Sequence, residues 1–168
     1  MAKQAKPIHT QKQNWPALIG FILLSLLAGA IGSLFTFSAI PNWYATLAKP
    51  SFAPPNWLFG PAWTTLYILM GISAYLIWQK GWKNKPVRFA LSIFSVQLAL
   101  NALWSILFFG LRSPLYGLVG IIPLWLSIAF CIRLFYPIDK KAAYLLVPYI
   151  LWVTFATILN FSIWALNR

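Results

Sequence analysis

The sequence predicts an all-α membrane protein, a bundle of five transmembrane helices with an aromatic and proline-rich first loop as its lid. Hydrophobic residues make up 61% of the 168 residues and charged residues only 8%, whereas a soluble domain carries about a quarter charged residues. The charged residues are separated by five long uncharged runs, at 13–48, 50–79, 89–111, 113–132 and 142–167. Each run reaches the roughly 20 residues that cross the hydrocarbon of a bilayer. The basic residues therefore separate membrane spans, and we expect no nucleic-acid partner.

In lipid every backbone N–H and C=O group needs a hydrogen-bond partner, and a helix supplies these partners within its own segment. The uncharged runs are longer and more uniformly apolar than the alternating strands of about ten residues that build membrane barrels. We therefore predict a single transmembrane domain at 16–168 behind a polar, basic tail at 1–15. The predicted spans lie near 16–39, 57–79, 87–109, 114–135 and 142–166.

The first span, 16–39, has an apolar stretch too long for the core of a secretory signal peptide, so we interpret it as a membrane helix. Ser25, Gly29 and Ser33 recur on it at intervals of four residues. Small residues at this spacing let helices approach closely. The pattern predicts a packing stripe, either within the bundle or at a dimer contact.

The first loop, 40–62, contains five prolines together with Trp, Tyr, Phe and Leu side chains. Proline removes an amide donor and restricts the residue before it, so this segment is not one continuous helix. A loop that only faced solvent would be less aromatic. We predict that residues 41–56 fold back over the helix ends as a lid and bury their aromatic side chains. Tryptophans at span ends, such as Trp78 and Trp164, fit an aromatic belt at the membrane–water interface instead.

Polar and aromatic residues share helix faces on three later spans. These faces carry Trp63 and Tyr67 on the second span, Gln97, Asn101, Ser105 and the neighbouring Trp104 on the third, and Trp152, Ala156 and Asn160 on the fifth. Residues three or four apart lie on one side of a helix. If the three faces meet, they enclose a cavity walled by indole rings with a few polar groups, which is typical of a small-molecule site. Hydrogen bonding between helices by Asn and Gln is the alternative, and the two interpretations are compatible.

Few residues suit ordinary catalysis or metal binding. Asp139 is the one carboxylate, and it precedes the fifth span, where a negative charge is favourable at a helix N-terminus. Cys131, in the fourth span, and His9, in the tail, are each single residues of their type. They cannot form a disulfide framework or a metal site within one chain. We expect no metal and no required cofactor.

The basic residues predict one orientation in the membrane. Ten Lys and Arg belong to the N-terminal tail, the second loop and the fourth loop, and three to the remaining loops and the C-terminus. Positive charge accumulates on the cytoplasmic side. We predict a cytoplasmic N-terminus, with the C-terminus and the first loop on the outer side. The basic face also suits contact with anionic membrane lipid.

Three blocks of residues carry a family resemblance. The first comprises Trp43-Tyr44, Leu47, Lys49-Pro50, Pro54-Pro55, Pro61, Trp63 and Leu66-Tyr67; the second Gln97-Leu98-Ala99-Leu100-Asn101, Trp104 and Phe108-Phe109-Gly110; the third Leu145, Pro148-Tyr149, Trp152, Phe155-Ala156 and Leu159-Asn160. In order and spacing these blocks resemble the translocator protein family, also called the tryptophan-rich sensory protein or peripheral benzodiazepine receptor family. The resemblance covers nearly the whole chain after the tail.

The resemblance implies a five-helix receptor or sensor, commonly a homodimer, that takes part in tetrapyrrole handling or a stress response. It implies a pocket under the first loop that binds porphyrins, such as protoporphyrin IX or a haem-like tetrapyrrole, and benzodiazepine-like aromatic ligands. The ligand-binding residues that follow from the resemblance and the three helix faces are Ser33, Trp43, Leu47, Trp63, Tyr67, Asn101, Trp104, Tyr116, Trp152 and Ala156.

Two alternative functions accompany this one. Some bacterial relatives degrade protoporphyrin in light, and by position Trp43 and Trp152 would carry that reaction here. A porphyrin transporter is the second alternative, although the chain shows neither the internal repeat nor the intramembrane charge that secondary transporters often have.

The cholesterol motif of animal members is missing, since Phe161 or Ser162 and Ala165 occupy its expected places. The sequence therefore argues against specific cholesterol binding.

Overall fold

The computed structural model describes residues 13–168. Its helices are α1 (Trp15–Asn42), α2 (Phe59–Trp78), α3 (Lys85–Ser105), α4 (Pro114–Phe135), α5 (Lys140–Leu145) and α6 (Val147–Leu166). A π-helical turn, Ile106–Gly110, continues α3, and two short 3₁₀ turns, Tyr44–Thr46 and Asn56–Leu58, lie in the first loop. Lys3, Lys6, His9 and Lys12 of the predicted tail lie outside the described residues.

Five helical segments of the described chain are long and apolar enough to cross a membrane. They are Trp15–Asn42, Asn56–Trp78, Lys85–Gly110, Pro114–Phe135 and Lys140–Leu166. The last combines α5 and α6, which are separated at Leu146 just before Pro148. The protein is an integral, multi-pass membrane protein, and the predicted five-helix bundle is confirmed.

Helix α1 extends past its predicted end at residue 39 to Asn42. Its last turn contains Pro41, whose nitrogen carries no hydrogen and so cannot donate to the preceding turn. The turn is completed by the two residues after the proline: the Asn42 side-chain amide donates to the Ser38 carbonyl at 2.9 Å, and the Trp43 N–H donates to the Ala39 carbonyl at 2.9 Å. The lid therefore begins with Trp43 and not with residue 41.

Small residues let α1 pack closely against α2. A Cβ atom at Gly71 would lie 2.5 Å from the Ile22 Cα, and one at Gly29 would overlap the Tyr67 ring. Ser25 is fully buried. The Ser25, Gly29 and Ser33 stripe thus faces the interior of its own bundle, which supports the packing interpretation over a dimer contact.

At the end of the bundle opposite the lid, Asp139 joins two loops. Its carboxylate accepts hydrogen bonds from the Lys141 and Ala142 N–H groups at 2.9 and 3.2 Å, which caps α5 as predicted. It also forms an ion pair with Lys80 at 2.7 Å. The α5 helix is further held by Ser73, whose hydroxyl donates to the Ala142 carbonyl at 2.7 Å. This end of the bundle is therefore fixed by polar contacts between α2 and α5.

Candidate ligand-binding site

A cavity of about 550 Å³ lies among α1, α2, the end of α3 and α6. This volume falls within the range of about 300–1,000 Å³ typical of small-molecule sites. Its wall includes Gly29, Ser33, Thr36, Tyr44, Phe59, Trp63, Tyr67, Asn101, Trp104, Ser105, Phe108, Phe109, Trp152, Ala156, Leu159 and Asn160. None of the residues that line it is charged. The cavity therefore suits the uncharged part of an apolar or aromatic ligand.

Seven of the ten predicted ligand-binding residues line this cavity: Ser33, Trp63, Tyr67, Asn101, Trp104, Trp152 and Ala156. They come from α1, α2, α3 and α6, so the three helix faces noted in the sequence do meet. The Trp63 ring stacks on the Tyr67 ring at 5.6 Å between centroids, and its edge meets Tyr149 at 6.2 Å. This packing fixes the orientation of one indole wall.

The other three predicted residues, Trp43, Leu47 and Tyr116, lie outside the cavity wall. Trp43 and Leu47 belong to the lid and pack against the apolar cluster around Phe108, where the Trp43 ring meets Phe108 at 5.5 Å. Tyr116 is 54% exposed on α4, a helix that contributes no residue to the wall. The structure thus places Tyr116 on the outer side of the bundle because α4 packs behind α3 and α6.

The first loop covers the cavity, as predicted. Tyr44 is 4% exposed and lies both in the cavity wall and against Phe108 and Phe109. The middle of the loop is tied to the C-terminus, because Ala48 and Asn167 exchange two hydrogen bonds of 3.0 and 2.9 Å. The first half of the lid is therefore held against the bundle at two points, Tyr44 and Ala48.

The lid does not bury all of its aromatic side chains, contrary to expectation, because Phe52 contacts Phe155 at 6.3 Å between ring centroids but is 49% exposed. Just beyond the predicted lid, Trp57 is 71% exposed. Trp57 lies in the 3₁₀ turn that leads into α2, near the predicted interface with water. Its exposure fits the aromatic belt that the sequence also allowed.

A π-helical turn shapes the wall at the end of α3, and the sequence did not indicate it. The turn Ile106–Gly110 is closed by hydrogen bonds from the Leu111 N–H to the Ile106 carbonyl at 2.8 Å and from the Ser113 N–H to the Phe108 carbonyl at 3.1 Å. Such wider turns occur frequently at functional sites. Here the turn lets two consecutive residues, Phe108 and Phe109, both reach the cavity wall.

Phe108 is the centre of an aromatic cluster that was not among the predicted site residues. Its ring stacks on Trp104 at 5.3 Å and meets Phe109 at 4.8 Å. Both phenylalanines belong to the second family block, which is the signal that could have identified them. Tyr44, in the first block, could have been identified in the same way.

Two buried side-chain atoms of the described residues have no hydrogen-bond partner, and both belong to residues of the cavity wall. They are Trp104 Nε1 and Asn160 Oδ1. The Asn160 amide nitrogen donates to the Pro114 carbonyl at 2.8 Å, which sets the direction of the amide. Unpaired buried polar atoms are rare in native structures. Both atoms lie toward α4 and not toward the cavity. The Asn160 oxygen would lie 2.8 Å from a Cβ atom at Gly117, and Trp104 Cδ1, next to Nε1, would lie 3.9 Å from one at Gly120. The two unpaired atoms therefore do not mark a ligand contact.

Metal chemistry has no candidate in the described part of the chain, where no three His, Cys, Asp or Glu side chains cluster. The two tryptophans named for light-dependent degradation differ in position. Trp152 lines the cavity, whereas Trp43 is not among the wall residues and packs against Phe108. That reaction, like porphyrin transport, stays a prediction.

Residues 21–165 match the sequence profile of the TspO/MBR family. The tryptophan-rich protein TspO of Archaeoglobus fulgidus is 50% identical over 151 residues, which cover 89% of this chain and 96% of that protein. The translocator protein of Homo sapiens is 39% identical over 156 residues, which cover 92% of each chain. The tryptophan-rich sensory protein of Cereibacter sphaeroides is 38% identical over 149 residues, which cover 87% of this chain and 91% of that protein.

Proposed function

Since this chain belongs to the TspO/MBR family, we propose that it is a membrane receptor or sensor that binds flat aromatic ligands, porphyrins among them, in the cavity beneath its lid. The observation that carries the proposal is the cavity itself. Three indole rings, those of Trp63, Trp104 and Trp152, line one uncharged space of about 550 Å³. Aromatic walls offer stacking and edge contacts to a flat ligand over most of its surface.

The uncharged wall also predicts how a porphyrin would be oriented. Moving an ionised carboxylate into an apolar cavity without a charged partner is costly. Lys49 lies at the lid, with its ammonium 4.8 Å from the centre of the Tyr44 ring, and Tyr44 lines the cavity. We therefore propose that the macrocycle enters the cavity while the carboxylates stay at the lid end, close to Lys49.

We also propose that the protein forms a homodimer in the membrane, which the family suggests.

Titration with protoporphyrin IX tests the site. Quenching of tryptophan fluorescence should saturate for the wild type in lipid nanodiscs. Trp63→Ala combined with Asn101→Ala should weaken binding by about tenfold or more, because one stacking wall and one buried polar group are lost. Trp82→Ala is the matched control, since Trp82 is 56% exposed and lies outside the cavity wall. Identical titrations for the double variant and the wild type would exclude this cavity as the binding site.

A further inference from the structure

A chain of hydrogen bonds leads from the cavity wall into the core. Tyr67 Oη donates to Asn101 Oδ1, and Asn101 Nδ2 donates to Tyr149 Oη at 2.9 Å. Tyr149 Oη in turn donates to Gln97 Oε1 at 3.0 Å. Tyr67 and Asn101 line the cavity, whereas Tyr149 and Gln97 do not and are only 0% and 1% exposed. The chain therefore has one end that faces the cavity and one that is buried.

The same heavy-atom positions allow this chain to run in two directions. An amide keeps its shape when its oxygen and nitrogen exchange places, and a hydroxyl group both donates and accepts. In the first direction, Tyr67 donates to Asn101, as described above. In the second, the Gln97 amide donates to Tyr149, Tyr149 donates to the Asn101 oxygen, and the Asn101 amide donates to Tyr67. The hydroxyl hydrogen of Tyr67 is then free to point elsewhere.

Met70 makes the first direction the resting one. Gln97 Nε2 lies 3.9 Å from the Met70 sulfur and forms a weak hydrogen bond to it. The thioether accepts a hydrogen bond but has no hydrogen to donate. The second direction would turn the Gln97 oxygen toward this sulfur and leave that oxygen without a donor. An under-satisfied carbonyl oxygen is tolerated better than an orphaned N–H group, so this direction remains accessible.

We propose that Gln97 and Tyr149 determine specificity by positioning the hydrogen of Tyr67, so that the cavity binds either a donor or an acceptor group of a ligand at the same place. In the first direction the Tyr67 oxygen accepts a hydrogen bond from a ligand N–H. In the second direction the Tyr67 hydroxyl donates to a ligand carbonyl. The inference rests on the proposed function, because it concerns ligands of the same cavity.

Three tricyclic compounds of nearly the same shape test the inference. Carbazole offers a ring N–H donor, 9-fluorenone offers a carbonyl acceptor, and fluorene offers neither. Binding to the full chain in nanodiscs is measured with tritiated compounds and displacement by unlabelled compound, which separates site binding from partition into lipid. The wild type should bind carbazole and fluorenone each more tightly than fluorene, because each forms one more hydrogen bond.

Two variants outside the cavity wall should change this selectivity. Gln97→Met removes the acceptor for the Tyr149 hydroxyl, so Tyr149 must donate to Asn101, which fixes the chain in its second direction. The affinity for carbazole relative to fluorenone should fall about tenfold, the usual effect of one buried unpaired group. Tyr149→Phe should shift the ratio the same way, because Tyr67 is then the remaining partner of Asn101 in the chain. An unpaired N–H is tolerated less well than an unpaired carbonyl oxygen, so the Asn101 amide turns its N–H toward Tyr67. Retained fluorenone binding shows that each variant is folded.

A double variant tests whether Gln97 affects the Tyr67 hydroxyl through Tyr149. If Gln97 acts through Tyr149, then Gln97→Met should change nothing further in the Tyr149→Phe background. An unchanged carbazole-to-fluorenone ratio in both single variants would overturn the inference and leave the proposed function intact. An equal effect of Gln97→Met with and without the Tyr149 hydroxyl would also overturn it. Absence of displaceable binding of all three compounds to the wild type would instead contradict the proposed function.

Discussion

Asp139, the single acidic side chain of the sequence, both caps α5 and forms an ion pair with Lys80. Burial raises the pKa of this carboxyl, but the hydrogen bonds from Lys80 and from the Ala142 and Lys141 N–H groups, with the charge of Lys80, lower it by more. The pKa therefore lies below its usual value. Because the folded-state pKa is below the unfolded value of about 3.9, the ionised group stabilises the fold at neutral pH. This contribution is lost as the pH falls through the folded-state pKa.

Substitutions at Asp139 should separate its two roles. Asp139→Asn keeps a capping side chain for α5 but loses the ion pair, so the loss of stability should stay under about 1 kcal/mol, because Lys80 is half-exposed. Asp139→Ala should cost about 1 kcal/mol more, since the cap is lost too. Thermal unfolding in detergent measures both. Added salt should narrow the stability difference between the wild type and Asp139→Asn but not the difference between Asp139→Asn and Asp139→Ala. A wild type–Asn difference that salt leaves unchanged would contradict the contribution of the ion pair.

At the scale of the elements, the contact between α1 and α2 leaves no space for an added side-chain atom at Gly71. Gly71 faces the Ile22 backbone, and backbone atoms cannot move aside as a side-chain end can. Gly20 lies inside α1 and has no atom of the described chain within 4 Å of a Cβ built there. The two glycines therefore differ in environment, although each occupies a helix interior.

Gly71→Ala should accordingly destabilise the protein by about 1–3 kcal/mol through overpacking, whereas Gly20→Ala should stabilise it by roughly 0.5–1 kcal/mol through helix propensity. Unfolding followed by far-UV circular dichroism in the same detergent compares them directly. Since α1 and α2 both line the cavity, Gly71→Ala should also weaken protoporphyrin IX quenching. A Gly71→Ala variant as stable as Gly20→Ala would contradict the close packing of these helices.

The spans could be predicted because they depend on one strong property, the length of uncharged sequence. The cavity wall of Trp63, Asn101 and Trp152 followed from helical spacing. The position of Tyr116 outside the cavity wall could not be predicted in this way. The side of α4 that faces the bundle depends on tertiary packing and not on residue spacing within α4. The π-helical turn at Ile106–Gly110 was also unpredictable, since a single extra residue per turn leaves no clear mark in an apolar sequence.

On the scale of the whole molecule, the two ends of the bundle differ in both composition and structure. The end with the second and fourth loops carries most of the basic residues and the Lys80–Asp139 ion pair. The other end carries the aromatic lid over the cavity, with Lys49 as the basic residue of its first loop. If positive charge faces the cytoplasm, the lid and the lid end of the cavity face the opposite side of the membrane. A ligand that reaches the cavity past the lid would then come from outside the cytoplasm.

Cysteine accessibility in intact cells tests this orientation. Ser51→Cys places a thiol on the exposed lid, and Asn84→Cys places one on the exposed second loop without removing a basic residue. The native Cys131 is fully buried and serves as the background. A membrane-impermeant maleimide should label Ser51→Cys directly and Asn84→Cys only after permeabilisation, because the ten basic residues hold the second loop inside. If only Asn84→Cys is labelled in intact cells, the protein has the opposite orientation in the membrane. The lid and the ligand entrance would then face the cytoplasm.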